Sequence, residues 1–250
     1  MSTPQPNSAE PVYRLYVALA QAFPLDPYSG LSGKLLYAGE IEPNSRNLLY
    51  AANIAGAASL AASADPAALR QAMRDGVIDF YVNSLEEALR ILKNEIRKRQ
   101  TVSVGVAAEP KSFVDQMLDR GVLPDLLARG NALNSGYLRQ FLECGSKQIA
   151  EAELPPGSQF VTWQVDRDFA RWLPRLDECA KAAIPSEDHL RQRWLKLAPR
   201  YLGRTAQRQR GIAFTEIEFA KFEGRVAELI EQPSAAPDEP CKVAILRSPL

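Results

Sequence analysis

The stretch GKLLYAGEIEPNSRNLLYAANIAGAASL, residues 33–60, decides the fold class of this chain. It opens with a short apolar run that has the length of a buried strand, and it closes with the apolar pattern of a helix. A loop that starts after Gly39 joins the two. Strand, loop and helix in this order are typical of nucleotide-binding α/β folds, in which the loop holds the phosphates of the ligand. This loop, however, carries two glutamates, a proline and an arginine, and it has no further glycine.

The alternation of short apolar runs and helices continues to residue 138. Asp65, followed by a proline, has the pattern of a helix N-cap. Ser84 and Glu87 form the pattern of a capping box at the start of another helix. The apolar runs at 77–82 and 101–107 are predicted strands. Together these signals predict a parallel sheet with flanking helices.

The segment AELPPGSQ, residues 152–159, breaks both periodicities and is a predicted boundary. We therefore expect a polar tail and helix over 1–32, an α/β core over 33–151, and a mainly helical C-terminal region over 152–250. The apolar run CKVAILR, residues 241–247, is a candidate strand at a sheet edge.

Composition excludes several classes of protein. Lys plus Arg and Asp plus Glu number 30 each, so no net charge draws the chain to nucleic acid or to a membrane. No apolar run is long enough to span a bilayer, and the N-terminus lacks the pattern of a signal peptide. Three widely spaced cysteines indicate a reducing, cytoplasmic location, and a single histidine argues against a multi-histidine metal site.

Three segments, in order and with matching spacing, resemble one known family. Residues 51–90, 102–126 and 135–138 look like the Rossmann-type central domain of urocanases, the NAD-dependent urocanate hydratases. The resemblance covers about residues 33–138. It implies a Rossmann-like parallel sheet, NAD as cofactor, lyase activity and a homodimer.

The resemblance is weakest at the positions that would contact the cofactor. Urocanases have a GGMGGAQ loop where this chain has EPNSRN, residues 42–47. Proline removes a donor N–H, and Glu42 would repel a pyrophosphate. Ser63 stands where the family has a glutamate, and only Gly-Tyr-Leu remains of a longer loop. The candidate cofactor-binding residues implied by the resemblance are Gly39, Asn44, Ser45, Arg46, Ser63, Gly136, Tyr137 and Leu138.

Four of these residues, at the start of the helix and at Tyr137, have competing interpretations. Asn44 and Arg46 could bind a different anion at the helix start, or Asn44 or Ser45 could simply cap the helix. Tyr137 could face a ligand cleft, or it could be retained only to keep the course of the backbone. No catalytic residue is assigned, because none of Cys144, Cys179 and Cys241 lies in a segment that matches the family's active-site motif.

The leading interpretation is a divergent homologue that has lost NAD binding and urocanate hydratase activity and acts as a small-ligand-binding or structural protein. One alternative is an NAD- or nucleotide-dependent lyase with a rebuilt phosphate loop. Another is a binder of nucleic acid or of an anionic partner through 191–211, which holds seven basic residues, Trp194 and Tyr201. Burial of Trp194 and ion pairs with the acidic helix predicted at 215–231 would favour a structural role for that segment, as does the zero net charge.

Overall fold

A computed structural model describes residues 9–129, 135–203, 205–231 and 243–248 of the 250-residue chain. The chain divides into two units. One consists of residues 15–152, and the other joins residues up to Arg14 with residues from Glu153 onward. The division falls inside the first helix, α1 (Ala9–Ala22). None of the helices in the described ranges has both the length and the apolar character of a bilayer-spanning segment.

The unit of residues 15–152 contains the parallel sheet that the sequence predicts. Its six strands are arranged in the order β3-β4-β2-β1-β5-β6, and all of the neighbouring pairs are parallel. Helices alternate with the strands, as in a Rossmann-like fold. The elements after α1 are β1 (Leu35–Glu40), α2 (Pro43–Ala55), β2 (Ala58–Ser63), α3 (Pro66–Arg74), β3 (Phe80–Val82), α4 (Leu85–Arg97), β4 (Ser103–Ala107), α5 (Pro110–Asp119), β5 (Leu126–Ala128), α6 (Ser135–Glu143) and β6 (Lys147–Ile149).

The predicted helix starts are confirmed. The Asp65 carboxylate accepts a hydrogen bond of 2.7 Å from the backbone N–H of Ala67. The Ser84 hydroxyl accepts one of 3.2 Å from the backbone N–H of Glu87, whose own carboxylate accepts from Asn83 N–H. These side chains satisfy N–H groups that have no partner within the helix, which fixes where α3 and α4 begin.

One hydrophobic core of this unit lies between the sheet and helices α4 and α5. Leu60 and Val104, from the central strands, are fully buried against Ala88 and Phe113. Every residue of β2 is buried, because helices cover both faces of the sheet at this strand. The sequence pattern placed residues 58–60 in the preceding helix, but α2 ends at Ala55, and Gly56, with a φ of 92°, turns the chain into β2.

The chain order creates a switch point beside β1. From β1 the chain moves to β2 on one side, and it later returns to β5 on the other side. The helices that follow the strands therefore lie on opposite faces, and a crevice opens at the carboxyl ends of β1 and β5. Ligands of open α/β sheets bind at such a crevice.

The second unit is mainly helical, as expected, but it also contains an antiparallel sheet in the order β8-β7-β9. Strands β7 and β8 were not predicted; β9 lies in the run predicted as a candidate edge strand. Four consecutive residues of β7, 160–163, are all buried, so the strand lacks the alternation that would have revealed it. The elements are β7 (Ser158–Val165), α7 (Leu173–Ala183), α8 (His189–Tyr201), β8 (Gln209–Thr215), α9 (Glu216–Glu231) and β9 (Val243–Arg247), with two short 3-10 helices at Arg167–Trp172 and Thr205–Gln207.

Candidate functional site

A cleft of about 710 Å³ opens at the switch point of the parallel sheet. The carboxyl ends of β1, β5 and β6 form its floor, and the start of α2 forms one wall. We call it the switch-point cleft. Its polar lining consists of Glu40, Glu42, Asn44, Ser45, Arg129 and Glu151. Its apolar lining consists of Leu15, Ala38, Leu48, Ala128, Ile149 and Ala150.

Gly39 shapes the end of β1 beneath this cleft. The pairing of β1 with β2 shifts between Tyr37 and Glu40, so that two residues of β1 face one residue of β2. Gly39 has a φ of 78° in this bulge, a conformation that residues with a Cβ rarely adopt. The bulge leads directly to Glu40, the last residue of β1, which lines the cleft.

The start of α2 is closed by its own residues. Glu42 is the N-cap residue, and Pro43 in the first turn has no N–H to donate. The backbone N–H of Glu42 donates to the hydroxyl of Ser45 at 2.7 Å, and that hydroxyl donates in turn to the carbonyl oxygen of Glu40. Ser45 is therefore buried and engaged in local hydrogen bonds. Asn44 is exposed at the rim of the cleft.

Arg46 points away from the cleft. Its Nη1 donates to Oδ2 of Asp75 at 3.0 Å, just after the end of α3. The hydroxyl of Tyr50, one turn further along α2, donates to the carbonyl oxygen of the same aspartate. The Arg46 guanidinium, which the resemblance suggests as a phosphate ligand, therefore holds α2 against the end of α3.

The other predicted residues lie outside the cleft. Ser63 is buried at the end of β2, and its hydroxyl accepts from the backbone N–H of Asp65 at 3.1 Å. Tyr137 donates to the carboxylate of Asp115 on α5, and this hydrogen bond raises the pKa of the Tyr137 hydroxyl. Leu138 packs with Tyr137 against the core, and Gly136 is exposed at the start of α6. Of the eight predicted residues, only Asn44 and Ser45 line the switch-point cleft.

Sequence reasoning missed two charged residues of the cleft, Arg129 and Glu151. Each follows a strand of only three residues, β5 and β6, so neither strand gives a strong pattern. Arg129 and Glu151 could have been predicted from their position directly after parallel strands, because the ligand sites of such sheets lie there.

A comparison of the sequence with models of protein families identifies the same kind of domain as the structure shows. The family model described as the urocanase Rossmann-like domain matches residues 19–145, which is half of the chain. The chain belongs to the urocanase family. The match begins within α1 and ends just after α6, so it includes the start of α2 and most of the switch-point cleft.

The residues at the cleft do not fit the pyrophosphate of the NAD that urocanases use. The carboxylates of Glu40, Glu42 and Glu151 line the cleft. Among the described residues of the lining, Arg129 alone is positively charged. The positive end of α2 is equivalent to only about half an elementary charge. Three negative charges therefore outweigh the attraction that the helix start and Arg129 would supply to an anion.

The basic segment 191–211 is partly committed to the core of the second unit. Trp194 is 1% exposed, and its indole N–H donates to the carbonyl oxygen of Gly211 at 2.8 Å. Arg191 forms two hydrogen bonds of 2.7 Å with Glu218 on α9. These contacts match the structural interpretation of the segment. Among its other basic residues, Arg210 pairs with Asp177, Arg200 and Arg208 are exposed, and Arg204 lies outside the described residues.

No cysteine in the described ranges has the surroundings of a nucleophile. Cys144 is exposed at the end of α6, and Cys179 is half-buried with its sulfur 3.8 Å from the carbonyl oxygen of Arg225. Burial raises the pKa of the Cys179 thiol, which lowers the fraction of reactive thiolate. Cys241 lies outside the described residues. The described part of the chain also contains no cluster of acidic, histidine and cysteine side chains that could hold a metal ion.

Proposed function

We propose that this protein is a member of the urocanase family that binds a small ligand at the switch-point cleft but neither binds NAD nor hydrates urocanate. The observation that carries the proposal is the carboxylate of Glu42 at the N-cap of α2, followed by Pro43. In a dinucleotide-binding fold this is where the pyrophosphate meets backbone N–H groups.

The size of the electrostatic effect supports this proposal. Two unit charges about 6 Å apart interact by roughly 3 kcal/mol at the effective dielectric constant of about 20 that describes sites near a protein surface. A helix N-terminus contributes about 0.3–2 kcal/mol to the binding of an anion. At such a separation, the repulsion between one glutamate and one phosphate would exceed the attraction of the helix start, and three glutamates line the cleft.

The cleft nevertheless has the size of a ligand site. Its volume of about 710 Å³ lies within the range of roughly 300–1,000 Å³ that is usual for pockets that bind small molecules. It is lined by both apolar and polar side chains and lies at the usual ligand position of the fold. These features support a change of ligand rather than the loss of a ligand site.

Calorimetric titration of the full chain with NAD⁺ tests the proposal. We expect no heat and no thermal shift up to millimolar NAD⁺, and no loss of urocanate absorbance when the protein is incubated with both compounds. A catalytically competent urocanase, titrated and assayed alongside, controls for the activity of the reagents. Binding at micromolar affinity would overturn the proposal and would favour the alternative of an NAD-dependent lyase with a rebuilt loop.

A further inference from the structure

The charge of the switch-point cleft selects among small ligands. Glu40, Glu42 and Glu151 bring three negative charges to its lining, and Arg129 brings one positive charge. These residues come from the ends of three different strands and from the start of α2, so the fold itself gathers the negative charge at one place.

Within the part of the chain that the structure describes, no ion pair compensates the charges of these carboxylates. Among the ion pairs between described residues, none includes Glu40, Glu42 or Glu151. Other carboxylates of the same unit are paired, because Asp75 contacts Arg46 and Asp125 contacts Lys34. The cleft therefore keeps a negative potential that a bound cation would satisfy.

An organic cation suits this arrangement better than a metal ion does. No group of three potential metal ligands comes together within the described ranges, so the three carboxylates are too dispersed to coordinate one ion. A molecule that is several atoms long could contact more than one of them. The apolar side chains of Leu15, Leu48 and Ile149 in the same lining would contact the aliphatic part of such a molecule.

We infer that the switch-point cleft binds a small organic cation that carries amine or guanidinium groups on a short aliphatic chain. This inference rests on the proposed function, because it requires a cleft that is not reserved for NAD. Amine and guanidinium groups donate charge-assisted hydrogen bonds to carboxylates, and these are stronger than hydrogen bonds between neutral groups.

The test is calorimetric titration of the full chain with putrescine and agmatine, at low and at high salt. Butanediol, which has the chain of putrescine without its charges, is the control ligand. We expect both amines to bind, the diol not to bind, and the affinity for the amines to fall at high salt. Glu40→Gln and Glu151→Gln should each weaken binding by about tenfold or more. Glu86→Gln removes an exposed carboxylate from α4, outside the cleft lining, and should leave the affinity unchanged.

The outcomes separate the inference from the proposed function. If neither amine binds and NAD⁺ also gives no heat, the inference is overturned and the proposed function stands. If NAD⁺ binds, both are overturned. Amine binding that Glu40→Gln and Glu151→Gln leave unchanged, or that the diol matches, would also overturn the inference. Glu40 and Glu151 are exposed, so these variants should fold as the wild type does.

Discussion

Replacing Arg191 by methionine should strongly destabilise the unit that contains residues 153–248. The side chain of Arg191 is 15% exposed and that of Glu218 is 11% exposed. Arg191 makes two hydrogen bonds to Glu218, one to Asp188 and one to the carbonyl oxygen of Ala213. Arg191→Met removes all of them and leaves the Glu218 carboxylate buried without its cation.

The expected loss of unfolding free energy is about 3–5 kcal/mol, the usual cost of breaking one side of a buried ion pair. Burial alone raises the pKa of Glu218, but the hydrogen bonds from Arg191 and Thr215 outweigh this and lower it. Without Arg191 only the hydrogen bonds from Thr215 oppose the effect of burial, so the pKa of Glu218 should rise and the variant can relieve the cost by protonating Glu218. The loss should therefore be smaller at acid pH than at neutral pH.

Urea denaturation followed by tryptophan fluorescence measures this effect, because all three tryptophans, Trp163, Trp172 and Trp194, lie in this unit. With a slope of about 1–3 kcal/mol per molar urea, the midpoint should fall by roughly 1–5 M. Arg200→Met makes the same change at an exposed position of α8 and should cost no more than about 0.5 kcal/mol.

A second variant tests the cause of the loss. Arg191→Met combined with Glu218→Leu removes the unpaired carboxylate as well, and it should recover more than half of the lost stability. If Arg191→Met has the same midpoint as Arg200→Met, the buried pair contributes nothing, and the structural interpretation of segment 191–211 loses its main support.

Two further predictions concern the same unit. Burial raises the pKa of Asp177 to about 6 against the pull of Arg210, so the folded state binds the proton more tightly. The free energy of unfolding of the wild type, minus that of the Asp177→Asn variant, should therefore grow by about 2–3 kcal/mol as the pH falls from above 6 to about 4. If the two proteins show parallel pH profiles in urea titrations, this prediction is wrong. A Cβ on Gly211 would lie 2.6 Å from the ring of Phe160, whereas one on Gly224 would meet nothing within 4 Å. Gly211→Ala should thus cost about 1–3 kcal/mol and Gly224→Ala, within α9, should gain about 0.5–1 kcal/mol; equal midpoints for the two would refute the packing argument.

The parallel sheet could be predicted because its signals are local. Asp65 and Ser84 mark helix starts through hydrogen bonds to backbone groups two or three residues away, so the pattern and its structural cause lie in the same few residues. Strand β8 has no such local signal. It carries Arg210 and Gly211, and its pairing with β7 depends on residues about fifty positions earlier in the chain.

The cleft was harder to predict than the fold. The resemblance directed attention to Arg46, Ser63 and Tyr137, whose side chains are each engaged by a residue of this chain: Asp75, Asp65 and Asp115. Two of these partners, Asp75 and Asp115, lie more than twenty residues away in sequence, so the residue type at one position does not predict its contacts. Arg129 and Glu151 come together only through the pairing of β5 with β6.

The division of the chain within α1 has a consequence for how the protein is made. Tyr13 is buried against Phe160 and Trp194, with ring centroids 5.4 Å and 5.0 Å away, and Glu10 accepts a hydrogen bond from Ser248, 238 residues later. On the ribosome, residues 15–152 emerge with a complete sheet of their own. Residues 9–14 precede this sheet in the sequence, whereas their partners Phe160, Trp194 and Ser248 follow it. The second unit can therefore form only by closing a loop that contains the whole parallel sheet, and the entropy cost of closing that loop falls if the sheet has already folded.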